Sequence, residues 1–314
     1  MIPALVLTAG LATRLRPLSL VRAKAAMPVG GEPIVRRILR VLRASGILKA
    51  VLNLHHLPHT ITQLVGDGSD LDIRVRYSWE QPVLGSAGGP RQALPLLDSP
   101  AFLVVNGDTL TDVDVASLLV DHKRTGALVT MAVVPQMEGA RYGGVRLDDN
   151  GVVTGFTKRG STEPSYHFVG VQVVEARAFA SIAPGVPAES VSEVYPALIS
   201  ADRGSVRAHI CEAQFFDIGT PDDYLRASLT FDNEKPGTQT RGSSAKIDRT
   251  ARVEDSILWD DVEVGAGSRL RRCVVTDGVH VPDGTSWTSV TLRRADGDLS
   301  PGEKLIDGLA VASI

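Results

Sequence analysis

The first 134 residues alternate short apolar runs with stretches of helical spacing. Five strands are predicted, which end near residues 7, 54, 79, 105 and 134; the one from Ile73 to Trp79 is indicated by alternation and the others by apolar runs. After the first strand, a helix is predicted to begin at Pro33, to carry an apolar residue every three or four positions, and to end at Gly46. The glycine-rich run LGSAGGP is predicted to be a turn that leads into a helix near Arg91 to Leu96. This order predicts an α/β fold with a mostly parallel, doubly wound (Rossmann-like) sheet and helices on both faces.

Residues 140–231 have a different pattern, with more short strands. Asp149-Asn150-Gly151 is a hairpin turn signal between two apolar runs. A strand at 168–174, a helix around 191–199, a strand at 206–211 and a helix from Pro221 to Leu229 follow. We interpret this part as an α+β extension that completes a ligand pocket, and we place residues 1–231 in one domain.

A repeat begins after the polar residues 232–244, whose proline and two glycines are typical of a linker. Apolar residues then recur with a step of 17 residues in two series, each six positions apart: Ile247, Val264 and Val281, and Val253, Leu270 and Trp287. This spacing predicts a short three-sided left-handed β-helix over residues 245–292, in which each coil buries apolar side chains against the next. So few coils need support from the first domain or another subunit, and we expect a homo-oligomer. The tail at 293–314 is poorly patterned.

Composition narrows the class of protein. The hydrophobic content of 43% and charged content of 22% are ordinary for a globular protein, and a net charge of −3 gives no indication of nucleic-acid or anionic-membrane binding. Two distant cysteines form neither a disulfide framework nor a metal cluster. The chain shows no signal-type segment and no apolar run of membrane-spanning length. We therefore expect a cytoplasmic protein.

Candidate chemistry begins at the end of the first strand. Small residues follow Leu7, then come Thr13, Arg14 and Arg16, and Lys24 lies ten positions beyond Arg14. A strand that leads into a loop rich in backbone N–H groups and cations has the outline of a polyphosphate site. A surface turn with solvated arginines would give the same spacing. Short glycine motifs also match by chance, so the spacing alone does not decide between the two.

Other polar residues lie at predicted strand ends. Asp108 in VVNGDT and Asp217 in FFDIGT offer the hard oxygens that Mg²⁺ prefers, although each could instead cap a helix or turn. Lys158 could hold a phosphate or be a solvated surface lysine. The sequence has neither the G-x-S-x-G element of a hydrolase nor a P-loop.

The ordered series of motifs resembles the sugar-1-phosphate nucleotidylyltransferases (NDP-sugar pyrophosphorylases) over residues 2–230. The opening run LTAGLATRLRPLS…AKAAMPV is similar to the family's G-T-R-L-x-P followed by P-K-P. The later motifs are NLHH, LGSAGG, VVNGDT, YGGV…GFTKR, FVGVQV and FFDIGTPDDYLRA. The C-terminal β-helix is also found in many members. NLHH with LGSAGG most resembles the mannose-1-phosphate guanylyltransferase-like group.

The resemblance implies an in-line attack of a sugar-1-phosphate oxygen on the α-phosphate of a nucleoside triphosphate, with release of pyrophosphate. It makes residues 1–231 the catalytic domain, with Arg14 on the leaving phosphates and Lys24 at the α-phosphate as catalytic residues. Asp108 and Asp217 would hold Mg²⁺. The implied nucleotide-binding residues are Leu7, Ala9, Gly10, Leu11, Ala12, Thr13, Gln81, Gly85 and Gly88. The implied sugar-phosphate-binding residues are Tyr142, Gly143, Lys158, Val169 and Gly170.

The chain departs from the family pattern at several of these positions. Ala12 replaces a loop glycine, which restricts the backbone there. Ala23-Lys24-Ala25 replaces P-K-P and keeps only the lysine. Thr157 and Arg159 stand where a glutamate and a proline flank the sugar-phosphate lysine, and Val169 replaces a threonine. Because the glutamate normally accepts sugar hydroxyls, these changes leave the sugar open.

Several functions remain as alternatives. GTP with mannose-1-phosphate, or a related sugar phosphate, is the preferred pair, and UTP or dTTP with glucose-1-phosphate is the alternative with the same chemistry. A non-catalytic regulatory or assembly subunit would be expected to lose Lys24, Asp108 or Asp217, and all three are present. An acyltransferase site on the β-helix is disfavoured by the few coils and by the lack of a histidine placed clearly between them.

Overall fold

The computed structural model describes residues 2–136, 142–234, 242 and 244–314. Within these residues, none of the helices is long and apolar enough to cross a membrane. Short 3₁₀ turns occur in the loop after the first strand, and a π-helical turn at Ser190–Val194 precedes the fifth helix. The α-helices are α1 (Ile34–Ala44), α2 (Pro58–Val65), α3 (Gly85–Leu97), α4 (Val115–Thr125), α5 (Tyr195–Ala201) and α6 (Pro221–Glu234).

Thirteen strands are described before the C-terminal repeat. They are β1 (Ala4–Leu7), β2 (Pro28–Val29), β3 (Glu32–Pro33), β4 (Lys49–Leu54), β5 (Arg74–Trp79), β6 (Ala101–Asn106), β7 (Thr109–Thr111), β8 (Val129–Pro135), β9 (Val145–Leu147), β10 (Val153–Phe156), β11 (Tyr166–Glu175), β12 (Val206–Ile210) and β13 (Phe215–Asp217). Two small pairs, β2 with β3 and β7 with β13, lie outside the main sheet.

Nine of these strands form one sheet. Its main path is β10-β9-β11-β6-β1-β4-β5, and β8 pairs with both β11 and β12. Neighbours among β1, β4, β5 and β6 are parallel, whereas β11 is antiparallel to β6 and β8. The predicted α/β fold is confirmed. The difference lies in residues 145–210, which extend the same sheet: β9, β10 and β11 add antiparallel pairs, and β12 pairs in parallel with β8.

The first strand occupies the middle of this sheet. Ala4, Leu5 and Val6 are completely buried, as expected for an apolar run flanked by a strand on each side. Leu7 at its end pairs with Asn53 of β4 and with Asn106 of β6. Because parallel strands end at the same edge, the segments that follow β1, β4 and β6 leave the sheet side by side.

Eleven short strands form the C-terminal part. They are β14 (Lys246–Ile247), β15 (Arg252–Glu254), β16 (Ile257–Leu258), β17 (Glu263–Val264), β18 (Arg269–Arg271), β19 (Val274–Val275), β20 (His280–Val281), β21 (Ser286–Thr288), β22 (Val290–Arg294), β23 (Lys304–Ile306) and β24 (Leu309–Ser313). Strands 17 residues apart pair in parallel on three sides, in the register that the sequence repeat predicts, for example Ile247 with Val264 and Val264 with Val281. The poorly patterned tail adds β23 and β24 as an antiparallel extension of one side.

The chain divides into two compact units. One consists of Met1–Gly10 and Arg37–Phe216, and the other of Leu11–Arg36 and Asp217–Ile314. The domain boundaries predicted from the sequence are continuous, whereas each of these units is built from two segments. The loop after β1 therefore belongs with α6 and the β-helix. Of the predicted linker 232–244, residues 235–241 and 243 lie outside the described residues.

Candidate active site

A buried polar network holds the end of β1 in place. The backbone N–H of Thr8 donates to Asn53 Oδ1 at 2.6 Å, and the Thr8 hydroxyl donates to the Asn53 carbonyl. Asn53 Nδ2 donates to Glu80 Oε1 at 2.7 Å, and Glu80 Oε2 accepts from Leu84 N–H at 2.9 Å. Glu80 is only 4% exposed. This carboxylate thus joins the first strand end to the start of α3, a role that sequence reasoning missed, although Asn53 and Glu80 both lie at strand ends.

The loop that follows β1 begins with open space. A Cβ atom at Gly10 would have no neighbour within 4 Å. Ala12 adopts the left-handed conformation with φ +47, and its carbonyl oxygen accepts from Leu15 N–H and from the Ser19 hydroxyl, both at 2.9 Å. Arg14 lies on the resulting 3₁₀ turn and is exposed. The alanine thus keeps a conformation that favours glycine, and the loop presents backbone and a cation to solvent.

Lys24 lies on a tightly packed segment further along this loop. Ala23, Ala25 and Ala26 are at most 2% exposed, and the Ala26 N–H donates to the Ala23 carbonyl at 2.8 Å. The side chain of Lys24 is half-buried. Burial therefore holds the backbone that prolines hold in the family pattern.

Asp108 lies between β6 and β7 and is half-buried. The N–H of Gly107 donates to the Leu7 carbonyl at 3.0 Å, and a Cβ atom at Gly107 would lie 2.5 Å from that oxygen. Only glycine allows this approach. The Thr109 hydroxyl donates to Asp108 Oδ1 at 3.2 Å. Asp108 therefore adjoins the end of the strand that leads to Gly10.

The helices that follow the two candidate metal ligands have other caps. Asp114 Oδ1 accepts from two backbone N–H groups in the first turn of α4, at 3.0 and 3.2 Å. Thr220 caps α6: its hydroxyl accepts from Asp223 N–H at 3.2 Å and donates to Asp223 Oδ2 at 2.8 Å. Asp217, half-buried, is the last residue of β13, the strand that pairs with β7.

The glycine-rich run LGSAGG, expected to be a turn, forms the first turn of α3. Gly85 has φ +76, and a Cβ atom there would lie 2.6 Å from Glu189 Oε1. One at Gly88 would lie 2.6 Å from the Val186 carbonyl. Ser86 donates to Glu189 Oε2 through its hydroxyl at 2.6 Å and its N–H at 3.3 Å. A neighbouring chain segment therefore requires both glycines, and the Glu189 carboxylate lies at the positive end of the helix. Gln81, just before this helix, is exposed.

The β9–β10 hairpin carries the candidate sugar-phosphate residues Tyr142, Gly143 and Lys158. The Gly144 N–H donates to the Thr157 hydroxyl at 2.7 Å, and a Cβ atom at Gly143 would collide with the Thr157 carbonyl. Lys158 is exposed. Thr157, which departs from the family pattern, therefore closes the hairpin through its hydroxyl.

An aromatic cluster lies beside this hairpin. The ring of His167 stacks on Phe215 with centroids 4.5 Å apart, and it contacts Tyr142 at 5.8 Å. Sequence reasoning missed His167 and Phe215, which no motif marks. Further along the same strand, Val169 is only 1% exposed, and Gly170 has φ +80 next to the Asn106 side chain. Gly170 thus lies at the register shift between β11 and β8, where its left-handed backbone favours glycine.

The donor set for a metal is small. Among the described residues, no group of three or more His, Cys, Asp or Glu side chains could hold a metal ion. Mg²⁺ in nucleotide sites usually takes one or two carboxylates and completes its coordination with phosphate oxygens and water, so it does not need such a group.

Comparisons with known proteins agree with this fold. The family model described as "Nucleotidyl transferase" matches residues 3–234, and the one described as "GlmU-like, C-terminal hexapeptide" matches residues 241–288. The second match identifies the C-terminal coils as a left-handed β-helix of hexapeptide repeats.

Curated relatives match over most of their length. The mannose-1-phosphate guanylyltransferase of Mycobacterium tuberculosis is 29% identical over 294 residues, covering 90% of this chain and 82% of that protein. The UTP–glucose-1-phosphate uridylyltransferase of Synechocystis is 26% identical, covering 98% and 86%. The crystal structure of HddC from Yersinia pseudotuberculosis complexed with GMP-PN shares the fold, with a TM-score of 0.64 and 22% identity over 74% of this chain and 100% of that chain.

The α/β sheet and the family match over residues 3–234 together define the class of protein, a nucleotidyl transferase. The chain belongs to the nucleotidyl transferase family, among its sugar-1-phosphate nucleotidyltransferases. It is therefore an enzyme that joins a nucleotide to a sugar phosphate.

Proposed function

We propose that this protein transfers a guanylyl group from GTP to mannose-1-phosphate or a related sugar phosphate, giving a GDP-sugar and pyrophosphate. The observation that carries the choice of substrates is the match to the Mycobacterium tuberculosis mannose-1-phosphate guanylyltransferase over 90% of this chain. The motif pair NLHH and LGSAGG supports the same group. We also propose that residues 1–231 form the catalytic domain.

The loop after β1 would hold the triphosphate. Its backbone N–H groups from Gly10 to Thr13 are suited to phosphate oxygens, and the open space at Gly10 allows close approach. Arg14, exposed on its turn, would hold the leaving β- and γ-phosphates. Lys24 would offset the charge that develops at the α-phosphate. This chemistry depends on alignment and charge neutralisation, with no covalent intermediate.

Asp108 and Asp217 would hold Mg²⁺, since two carboxylates leave room for phosphate and water ligands. When bound there, the cation would neutralise charge on the reacting phosphates. Tyr142, Gly143 and Lys158 would contact the sugar phosphate. The His167 ring would extend the aromatic surface beside Tyr142.

A second pair of substrates is favoured by one observation. The Synechocystis uridylyltransferase covers 98% of this chain, which supports UTP with glucose-1-phosphate. Pyrophosphate release measured for each NTP against mannose-1-phosphate and glucose-1-phosphate, with Mg²⁺, tests both pairs. The highest kcat/KM for GTP with mannose-1-phosphate is expected. A preference for UTP with glucose-1-phosphate would replace the proposal, and no release with any pair would favour a regulatory subunit.

Lys24→Ala tests the central catalytic assignment. We expect a loss of roughly 10²- to 10³-fold in kcat, because the positive charge acts mainly as the transition state forms. Arg16→Ala is the control, since Arg16 is an exposed cation in the same loop. A kcat for Lys24→Ala close to that of the wild type would show that another cation neutralises the α-phosphate.

A further inference from the structure

The segment that carries Lys24 is held at two points, one by the β-helix and the other by α6. One is Arg22, two residues before the lysine, and the other is Pro28, four residues after it. Both belong to the compact unit that contains α6 and the β-helix. The catalytic lysine of the proposed function therefore lies between two anchors provided by the opposite end of the chain.

The first anchor is a pair of carboxylates. Arg22 Nε and Nη2 donate to the two oxygens of Asp277 at 2.7 and 2.6 Å, and Nη2 also donates to Asp260 Oδ2 at 2.6 Å. The guanidinium carbon lies 5.1 Å from the centre of the Trp259 ring, within the range of a cation–π interaction. A planar, two-pronged pair of this kind fixes direction as well as distance.

The two aspartates are supplied by successive coils. Asp260 and Asp277 are 17 residues apart, the step of the repeat, and Asp260 N–H donates to Asp277 Oδ1 at 3.1 Å. Their side chains are 46% and 31% exposed, whereas the Arg22 side chain is 12% exposed. Stacking of the coils thus places two carboxylates side by side, and both accept hydrogen bonds from one arginine of the loop.

The second anchor is a relay of hydrogen bonds. Trp259 Nε1 donates to the Tyr224 hydroxyl at 2.9 Å, and that hydroxyl donates to the Pro28 carbonyl at 2.6 Å. Trp259 and Tyr224 are both completely buried. Burial raises the pKa of Tyr224 far above its usual value, so its hydroxyl stays protonated and able to donate. Trp259 takes part in both anchors.

We propose that Arg22 is a positioning residue, through which Asp260 and Asp277 of the β-helix hold Lys24 in its catalytic position. This proposal rests on the proposed function, because it assigns a role to Lys24. The β-helix is then part of the catalytic apparatus, since it sets the position of a charge that must meet the α-phosphate.

Asp277→Asn is the main test, because it removes the charge of the two-pronged pair and leaves the loop sequence intact. We expect kcat to fall about 10- to 100-fold, as small displacements of a catalytic group do, with KM for the NTP changed less than about threefold. Arg22→Lys, which keeps the charge but loses the fork, should be intermediate. Asp260→Asn changes the more exposed aspartate, so its loss of kcat should be smaller than that of Asp277→Asn, and the protein should stay folded.

The matched control is Arg272→Gln. Arg272 Nη2 pairs with Asp222 Oδ1 at 3.1 Å and so joins the β-helix to α6. The two side chains are 44% and 50% exposed, and neither residue belongs to the loop segment 22–28. Its kcat should match that of the wild type. An equal loss in Arg272→Gln and Asp277→Asn would show general loosening of the unit and would overturn the proposal.

A double-mutant cycle isolates the route through Lys24. If the anchor acts by holding the lysine, Asp277→Asn should cost less than about twofold in a Lys24→Ala background. Losses that multiply in full would overturn the proposal.

Hydrogen exchange separates this proposal from the proposed function. The amides of residues 23–27 should exchange at least about tenfold faster in Asp277→Asn than in Arg272→Gln, whether or not the right substrates are known. Unchanged exchange would overturn the positioning role. Faster exchange in a protein that releases no pyrophosphate with any substrate pair would retain the anchor and reject the proposed function.

Discussion

Ala23 and Ala25 show at the scale of single residues how packing replaces covalent stiffness. The family pattern has proline on both sides of the lysine, and proline limits the backbone through its ring. In this chain both positions are alanine, and both are at most 2% exposed. Because both small side chains are enclosed by their neighbours, the backbone has little room to move, as it would with proline. The backbone position from which the Lys24 side chain extends is therefore fixed.

The two candidate metal ligands allow a prediction at the same scale. Asp108→Asn and Asp217→Asn each keep the volume but remove the charge that would hold Mg²⁺, so we expect large losses of kcat in both. If the two carboxylates share one ion, the double variant should lose far less than the product, because removing either one already empties the site. A double-mutant cycle at saturating substrates, over a range of Mg²⁺ concentrations, measures this.

More Mg²⁺ should partly rescue either single variant, because mass action refills a weakened site. Asp114→Asn is the control, since Asp114 caps α4 and takes no part in the proposed site. Fully multiplicative losses without any dependence on Mg²⁺ would contradict the shared ion.

At the scale of elements, helix α4 and strand β8 enclose a histidine. His122 is 5% exposed, its Nδ1 lies 2.8 Å from the Thr130 hydroxyl, and its Nε2 lies 3.4 Å from Glu175 Oε1. Burial lowers the pKa of His122 below its usual 6.5, although the Glu175 carboxylate acts in the opposite direction. The neutral ring is therefore the form that this helix–strand contact accommodates.

A pH dependence of stability follows from this shift. Because the folded pKa lies below the unfolded value, the unfolded chain takes up the proton first as the pH falls. The contribution of His122 is present in full above about pH 6.5 and is lost as the pH falls through its folded pKa. Thermal melting of His122→Asn should therefore show a smaller loss of Tm between about pH 7 and pH 5 than the wild type. His59→Asn, at an exposed histidine of α2, is the control and should keep the wild-type slope.

Helix α3 shows a second effect at this scale. Its glycines are required by a segment 103 residues further along the chain, which approaches within hydrogen-bond distance and places Glu189 at the helix N-terminus. A turn was expected because glycine usually marks turns. The close approach of the 186–189 segment explains why glycine is needed at Gly85 and Gly88, and both residues lie inside a helix.

At the scale of the whole molecule, the β-helix completes the burial of its unit. Truncation after Glu234 would remove Trp259, Asp260 and Asp277, and would leave Tyr224 and Arg22 without these partners. An exposed Tyr224 and an unpaired Arg22 should lower the Tm by about 5 °C or more, or make the protein aggregate. Differential scanning calorimetry and sedimentation measure both. A truncated protein that melts at the wild-type temperature would show that the coils do not stabilise the loop.

Local spacing in the sequence was sufficient for most of the main strands and helices and for the repeat, although not for the start of α3. The apolar run at residues 4–7, the helical spacing after Pro33 and the 17-residue step each require one burial pattern, because the period of a strand, helix or coil sets which side chains face the core. The motif series also led to the family, since its members share the same loops in the same order.

Only the tertiary structure decided which distant residues act together. Arg22 and Asp277 are 255 positions apart, and no period relates them. The same holds for Asn53 with Glu80 and for Ser86 with Glu189, whose contacts depend on where the chain returns. The sequence shows which side chains are polar, but a hydrogen bond also needs a donor and an acceptor within about 3 Å of each other. That distance exists only after the sheet and the coils have folded, so the anchors of Lys24 could not be predicted from sequence.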